Sequence, residues 1–498
     1  MPRPMRRVGI DPHYDERRSM VVPEVVGILV VLAVPLVALA HRWRIPYPIV
    51  LVFGGLVLGF LNRPPQLHSN PQELLLVFLP PLLYVETLTV SLDEIRRQAG
   101  WIAGLAIGLV LVTAGAVAVV AHQLAPEFPW ASAILLGAIV APTDAVAASP
   151  VMARLGIARP IVAILQGESL LNDAIALVLY ALAFDAITIG TFSPGTATVD
   201  LLLAVFGSPL VGLVFGFLAA WAWRTVSDAR LQTTISILLP FVTYLAADRL
   251  GMSGVVAVVA AGFVANARTP RDMLPEARLI SSGFWETIVF LVNVIVFIMI
   301  GFALHHAFNT LEHHHEAIWT AIAVVAVVIA VRFAWVYGAG LVARLSGRSI
   351  DWRGAFVVAW SGMRGGVSAA LALALPAFVG DRLFVERDIV VIATFSVIFV
   401  TLVGEGLMLG SIVRWVRPPR ENVAAVQREV LSTVPTDLTH HIRGIEHELV
   451  VAERDSFFAM RARGEIEDDV LTRMQYALDL IEAGRRAFLE GKPWEDPD

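Results

Sequence analysis

Cysteine is absent from this chain and lysine nearly so, with Lys492 as the single example among 498 residues. The lack of thiols excludes disulfides and thiolate metal sites. Charge is also scarce: 16% of the residues are charged, whereas soluble domains contain about 25%. With 57% hydrophobic residues and a mean hydropathy of +0.72, the composition excludes an ordinary soluble domain and indicates a polytopic membrane protein.

Long apolar runs recur along the chain at the length that a transmembrane helix needs, about 20 residues. Thirteen segments are predicted, at about 21–40, 47–62, 73–91, 100–121, 131–152, 158–187, 200–223, 231–248, 252–267, 284–305, 316–343, 354–378 and 388–413. The expected fold class is all-α and polytopic, with about thirteen transmembrane helices over residues 21–414. A polar, arginine-rich segment, 1–20, precedes them, so the natural start is either Met1 or Met20. A short charged tail with helical periodicity, 415–498, follows them.

Arginines are concentrated in alternate loops between these segments, including the loop predicted between segments 9 and 10. Because cytoplasmic loops carry the excess of arginine, this alternation predicts an N-terminus outside and a cytoplasmic C-terminus. The arginines of segment 1–20 are the exception to the pattern. We expect a multi-pass protein of the cell membrane, with the lipid bilayer and not nucleic acid as its partner.

The sixth segment carries a polar run between apolar flanks. Glu168 and Asn172 are four residues apart, as are Ser169 and Asp173, so each pair lies on one face of a helix. A carboxylate at the bilayer centre costs about 2.5–3.5 kcal/mol on insertion scales, and such groups mark ion or proton paths. A hydroxyl, an amide oxygen and a carboxylate are ligands that suit a hard cation.

Two other segments carry helix breakers at their middle. The fifth contains Pro142, Thr143 and Asp144, and the twelfth has glycines on both sides of Arg364. Interrupted helices at matching positions are typical of inverted-repeat transporters. We therefore expect two inverted six-helix repeats with crossed discontinuous helices in segments 5 and 12, where Asp144 and Arg364 compensate the helix dipoles. The simpler alternatives are a proline kink in the fifth segment and tight packing of small residues in the twelfth.

Arg332 lies in the middle of the eleventh segment. A buried arginine needs an anion, and the candidates are Glu168, Asp173 and Asp144. We favour Glu168, because this pairing leaves Asp173 free to titrate. The alternative is that Arg332 extends to the membrane surface, as long cationic side chains do.

Other polar residues are interpreted as structural. Glu86, one turn after the double proline of segment 3, and the group Trp285, Glu286 and Asn293 in segment 10 are expected to serve packing. A histidine cluster is expected in a solvated outside loop, although it has the chemistry to bind a metal or sense pH. The cluster comprises His305, His306, His313, His314 and His315. The acidic residues expected near segment ends are Asp185, Asp200, Asp248 and Glu405.

These residues together resemble the monovalent cation:proton antiporter family 1, which comprises bacterial and archaeal sodium/proton antiporters and animal sodium/proton exchangers. The resemblance covers about residues 21–415. It rests on Phe78-Leu79-Pro80-Pro81-Leu82-Leu83, Pro142-Thr143-Asp144, Gly167-Glu168-Ser169-Leu170-Leu171-Asn172-Asp173, Phe284-Trp285-Glu286, Arg332 and Gly362-Met363-Arg364-Gly365. The chain departs from the family pattern at Ala145, where many relatives have proline, and at Glu405, where glutamine is common.

The resemblance implies a sodium and proton site centred on the Asp173 carboxylate. The other residues it implies there are Asp144, Ser169 and the Thr143 carbonyl as ligands of Na⁺, Asn172 in the same binding site, and Glu168, Arg332 and Arg364 as its structural support. It also implies a homodimer, in which a core of about 100–187 and 316–413 moves against a dimerisation scaffold of about 21–91 and 200–305. No cofactor is implied beyond the transported ions, Na⁺ (or Li⁺ or K⁺) and H⁺.

By the same resemblance, a proton and a cation compete for Asp173, because burial disfavours the charged form of a carboxylate. Electrogenic relatives carry a second aspartate at the position of Asn172. Since an amide does not titrate, the expected exchange is one cation for one proton, electroneutral, with the site opening to one side at a time.

Other functions stay open at this point. A potassium/proton antiporter would have the same fold, and the sequence does not reveal the size of the site. A cation channel would be expected to show a filter loop. An intramembrane enzyme is disfavoured, because neither His-Glu-x-x-His nor Gly-x-Ser-x-Gly occurs, and Asp144 with Asp173 alone is a thin basis for an aspartyl protease.

Overall fold

A computed structural model describes residues 22–43, 47–60, 71–126, 128–145, 148, 152, 155–189, 203–311, 315–345, 351–376, 378–379 and 382–418. The predicted N-terminal segment 1–20 lies outside the described residues. So does the predicted tail from residue 419 onward.

The first half of the chain forms helices on the predicted apolar segments. In chain order they are α1 Val22–Trp43, α2 Tyr47–Phe60, α3 Pro71–Thr89, α4 Leu92–Arg97, α5 Ala99–Leu124, α6 Trp130–Val140 and α7 Arg159–Ile189. A π-helical turn, Gly104–Leu109, lies inside α5. The short helix α4 joins α3 to α5, and the Ser91 hydroxyl caps its start by accepting a hydrogen bond from the Glu94 amide.

The second half continues as helices with one small hairpin. In chain order the helices are α8 Ser208–Thr225, α9 Ala229–Arg249, α10 Gly254–Asp272, α11 Pro275–Leu311, α12 His315–Leu345, α13 Trp352–Trp360, α14 Gly366–Leu373 and α15 Arg387–Val416. A π-helical turn, Leu203–Gly207, precedes α8, and another, Val400–Glu405, lies inside α15. Strands β1 Phe378–Val379 and β2 Arg382–Leu383 pair antiparallel between α14 and α15.

Six of the described helices are long and apolar enough to cross a membrane. They span Ala99–Leu124, Arg159–Thr188, Ala229–Arg249, Pro275–Phe302, Ala317–Val342 and Arg387–Val416. Shorter apolar helices include α2 and α6. The chain is therefore a multi-pass, helical membrane protein.

The helices extend beyond several predicted boundaries. Arg268 and Arg278, expected in a loop, lie in α10 and α11. His305 and His306, also expected in a loop, belong to α11, and the His305 ring packs 4.3 Å from the Phe60 ring. These loop predictions were wrong because apolar runs reveal the part of a helix within the hydrocarbon and not its polar ends.

The helices pack in two groups. In the first group, α8 packs on α10 and α2 packs on α11. In the second group, α6 packs on α5 and α7, and α12 packs on α5 and α15. The α2–α11 contact is close because two glycines face each other: a Cβ on Gly55 or on Gly301 would overlap the opposite backbone. The division into a scaffold and a core, and the movement of one against the other, stay predictions.

Candidate functional site

Two helix interruptions meet in the interior of the protein. The first, at 141–145, follows α6, and the second, at 361–365, separates α13 from α14. The Asp144 amide donates a hydrogen bond of 2.7 Å to the Met363 carbonyl. The two interruptions were expected from Pro142 and from the glycines around Arg364, and the structure brings them into direct contact.

Each interruption supplies a charged side chain to the helix end of the other. The Asp144 carboxylate accepts a hydrogen bond of 3.2 Å from the Gly366 amide at the start of α14. The Arg364 guanidinium donates one of 3.1 Å to the Val140 carbonyl at the end of α6, and another to the Gly362 carbonyl. An anion at a helix start and a cation at a helix end both oppose the helix dipole. The arrangement also leaves no room at Gly365, where a Cβ would overlap the Asp144 carboxylate.

On α7, the buried Glu168 carboxylate is fully engaged. Arg332 on α12 donates to both of its oxygens, at 2.5 and 3.1 Å. The same guanidinium donates to the carbonyls of Ala359 and Val358 at the end of α13. Arg332 is 1% exposed, so it does not extend to the membrane surface, and its partner is the carboxylate favoured from the sequence.

The Thr143 hydroxyl connects the first interruption to α7. It donates to Glu168 at 3.0 Å and accepts from the Asn172 amide at 2.9 Å. The Ser169 hydroxyl, also on α7, accepts a hydrogen bond of 3.2 Å from the Ala145 amide. These bonds fix the interrupted backbone against the polar face of α7, where the sequence placed the site.

Asp173 differs from its neighbour Glu168 in having no such partner. Its side chain is 3% exposed, and none of the hydrogen bonds or ion pairs of the described residues involves it. Asp144 and Glu86 are the charged groups close enough to interact with it electrostatically. Three carboxylates therefore share one interior region, and their mutual repulsion favours uptake of a positive charge.

Unpaired polar atoms surround this region. Within the described part of the chain, the Glu86 Oε2, Asn172 Oδ1 and Asn293 Nδ2 atoms are buried without a hydrogen-bond partner. Tyr47 lies near Asn293 and Asp144. Buried polar atoms that lack protein partners usually contact water or an ion.

No three carboxylates or histidines of the described residues converge closely enough to hold a metal ion by themselves. A cation at Asp173 therefore needs neutral ligands as well. Ser169 and the Thr143 carbonyl, together with water, offer the oxygens that hard cations accept. Of the histidine cluster, His313 and His314 lie outside the described residues.

Glu405 was wrongly placed near a segment end. It is 6% exposed and lies eleven residues before the end of α15, about 16 Å along the helix. Its side chain accepts a hydrogen bond from the Gly362 amide and lies near Arg364 and Arg332. Glu405 and Thr401 both belong to the π-helical turn Val400–Glu405. The Arg364 amide donates a hydrogen bond to the Thr401 hydroxyl, so this turn supports the second interruption.

Glu86 was interpreted as a packing residue, and the structure instead places it among the site carboxylates. Its position one turn after Pro80 and Pro81 was the available signal. Asn293 was likewise interpreted as a packing residue and Tyr47 was not singled out, because nothing local in their segments distinguishes them from packing residues.

Comparisons with known proteins agree with this geometry. The family described as sodium/hydrogen exchanger, transmembrane, matches residues 28–415. An uncharacterised Na⁺/H⁺ exchanger of Mycobacterium bovis is 33% identical over 409 residues, covering 79% of this chain and 74% of the relative. The Na⁺/H⁺ antiporter ApNhaP of Aphanothece halophytica is 32% identical over 376 residues, covering 74% and 69%. The solved structure of the sodium proton antiporter MjNhaP1 of Methanocaldococcus jannaschii is similar with a TM-score of 0.65 at 19% identity, covering 79% of this chain and 97% of that one.

Interrupted membrane helices that cap each other beside a buried carboxylate define a membrane ion transporter of the broken-helix type. The match over most of its length shows the particular kind: the chain belongs to the sodium/hydrogen exchanger family. The family resemblance drawn from the sequence motifs is thereby confirmed.

Proposed function

We propose that the protein exchanges Na⁺ or Li⁺ for H⁺ at Asp173. The observation that carries this proposal is the contrast between two buried carboxylates on α7. Arg332 neutralises Glu168, whereas Asp173 has only other carboxylates as charged neighbours. A proton or a cation relieves that repulsion, and the two compete for the same oxygens.

The cation ligands in this proposal are Asp173, Asp144, Ser169 and the Thr143 carbonyl. Glu86 joins them as a further acidic group, acting directly or through water, because its buried Oε2 has no partner in the described residues. Asn172 supports the site through its hydrogen bond to Thr143.

We propose electroneutral exchange of one cation for one proton, because Asn172 replaces a second titratable group beside Asp173. Reconstituted protein should respond to a sodium jump with proton flux and without sustained current. A sustained current under the same gradient would refute the one-to-one ratio while leaving antiport intact.

Alternating access is supported by the two interruptions in direct contact with each other, which are typical of transporters that open to one side at a time. In this proposal the core carries the ion past the scaffold, the protein is a homodimer in the cell membrane, and its C-terminus is cytoplasmic. It works without a cofactor and is not an enzyme.

Potassium is the alternative to sodium or lithium as the transported cation. The sodium, potassium, lithium and rubidium/H⁺ antiporter of Bacillus pumilus is 29% identical over 388 residues, covering 73% of this chain and 57% of the relative. Because the name of this relative includes potassium, K⁺ stays a second candidate substrate. The geometry of the carboxylates serves both ions.

The test is proton flux in proteoliposomes across pH on adding Na⁺, Li⁺ or K⁺. Asp173→Asn should abolish flux, because it removes the group that binds both ions. Asp185→Asn is the matched control, since Asp185 is exposed on the same helix twelve residues further on. Equal flux in wild type and Asp173→Asn would overturn the site, and flux with K⁺ alone would change the substrate.

A further inference from the structure

A groove of about 430 Å³ lies between α4, α8 and α10. Its walls are apolar, with Ile95, Phe217 and Phe263 among them, and its polar groups come from Arg96 and Arg268. The groove therefore combines two positive charges from separate helices with a hydrocarbon surface. By the arginine pattern, both charges lie on the cytoplasmic side of the membrane.

A cationic side chain near the membrane surface ordinarily extends toward the end of its helix. The Arg268 side chain does not. It lies four residues before the end of α10, yet its guanidinium carbon is 5.6 Å from the centre of the Phe217 ring. Phe217 lies eight residues before the end of α8, about 12 Å along that helix. The guanidinium thus points back along the groove, over an aromatic face.

The acidic residue at the end of α10 is already engaged. Asp272 at the end of α10 pairs with Arg224 at 2.8 Å. Among the described residues, no carboxylate pairs with Arg96 or Arg268. Two cations beside an apolar groove, without a carboxylate partner among the described residues, offer a place for an anionic group.

We propose that this groove binds an anionic phospholipid of the cytoplasmic leaflet. Arg96 and Arg268 hold the phosphate, and an acyl chain lies along Phe217 and Phe263. The apolar walls argue for lipid over a free anion, because Phe217 is 50% exposed at the protein surface and a phosphate ion would leave it uncovered. Anionic headgroups on the cytoplasmic side attract basic residues near the membrane surface.

The bound lipid would connect two parts of the molecule. Arg96 belongs to α4, the link from α3 to α5, and Arg268 to α10, which packs on α3. Asn266 on α10 also donates to the Thr87 and Val90 carbonyls, at 2.6 and 2.9 Å. The lipid therefore steadies the connection between the scaffold and the first core helix.

The test uses the full-length protein in detergent micelles with phosphatidylglycerol or phosphatidylcholine, and native mass spectrometry to count retained lipids. Wild type should retain one phosphatidylglycerol in preference to phosphatidylcholine. Arg96→Gln with Arg268→Gln should weaken retention about tenfold or more, because both charge-assisted contacts are lost. Arg97→Gln with Arg271→Gln is the matched control on the same two helices and should bind as wild type does.

Three results would overturn the proposal. The first is equal retention of phosphatidylglycerol by the wild type and the Arg96, Arg268 variant, with both folded by size-exclusion chromatography. The second is displacement of the lipid by equimolar glycerol phosphate, which would identify the occupant as a free anion. The third is retention that appears only after removal of residues 421–498, which would identify an acidic segment of the chain as the occupant. The assay contains no ion gradient, so its outcome is independent of antiport.

Discussion

The two interrupted helices have opposite roles in the same contact. The interruption at 141–145 presents its groups to α7, through Thr143 and Ala145. The interruption at 361–365 is held from behind by Thr401 of α15 and packs on Arg332 at Gly362. In the proposed function, the first interruption therefore offers ion ligands, and the second is the frame that positions the first.

The charges follow the same division. Near the first interruption lie the carboxylates Asp144, Asp173 and Glu86, and the charged groups that act on Asp173 are the other two acids. Near the second lie Arg332, Arg364 and the acids that they balance. Excess negative charge thus lies where we propose that a cation is exchanged, and near-balanced charge lies where the backbone of the second interruption is held.

Arg332→Met should have the largest effect of these substitutions on the stability of the protein. It leaves Glu168 buried without its partner, which costs about 3–5 kcal/mol for a buried ion pair. Thermal unfolding of the purified protein should show the loss. The double variant Arg332→Met with Glu168→Leu should recover most of the stability, because no unpaired charge remains.

The same double variant separates framework from transport. It removes the acceptor of the Thr143 hydroxyl, so sodium-driven proton flux should stay low even when stability returns. Full flux in the double variant would show that the ion pair has no part in positioning the site.

Gly365→Ala should have the next effect, at the contact between the two interruptions. The new methyl group displaces the Asp144 carboxylate, and overpacking of this kind costs about 1–3 kcal/mol. The apparent Na⁺ affinity should fall, measured as the concentration for half-maximal flux. Gly404→Ala is the control, since a Cβ there meets open space, and equal losses in both variants would contradict the contact.

Glu405 should give the smallest effects. Glu405→Gln keeps a carbonyl oxygen for the Gly362 amide and should change the free energy of unfolding by less than about 1 kcal/mol. Glu405→Leu leaves that amide unsatisfied and should cost about 1–2 kcal/mol. If glutamine proves as destabilising as leucine in thermal unfolding, the negative charge toward Arg364 is what matters, and not the hydrogen bond.

Local signals in the sequence were sufficient for part of this site. Polar groups four residues apart predicted the face of α7, and a proline or a set of glycines predicted each interruption, because these residues act on their own helix. The need of Arg332 for an anion followed from the cost of a buried unpaired cation, and the choice of Glu168 followed from the expectation that Asp173 titrates. These inferences concern energies that a single segment or a single pair determines.

The remainder depended on contacts between distant segments. Glu86 lies 58 positions before Asp144 in sequence, and a kinked helix alone does not reveal what its acid faces. Glu405 required knowledge of the π-helical turn Val400–Glu405, which changes the direction of the side chains that follow it. Helix ends were misjudged because hydropathy records the thickness of the hydrocarbon and not the length of the helix.

The bond between Arg364 and the Val140 carbonyl has a consequence for how the protein is made. Its two residues are 224 positions apart, and ribosomes add about 5–20 residues per second. The first half of the chain therefore enters the membrane about 10–45 s before its partner exists. During that time the end of α6 and the Asp144 carboxylate require water or the insertion machinery as substitutes. The first interrupted helix therefore stays without its partner until the second half of the chain is synthesised. Release of this helix into lipid before that time is the step at which we expect degradation by membrane quality control.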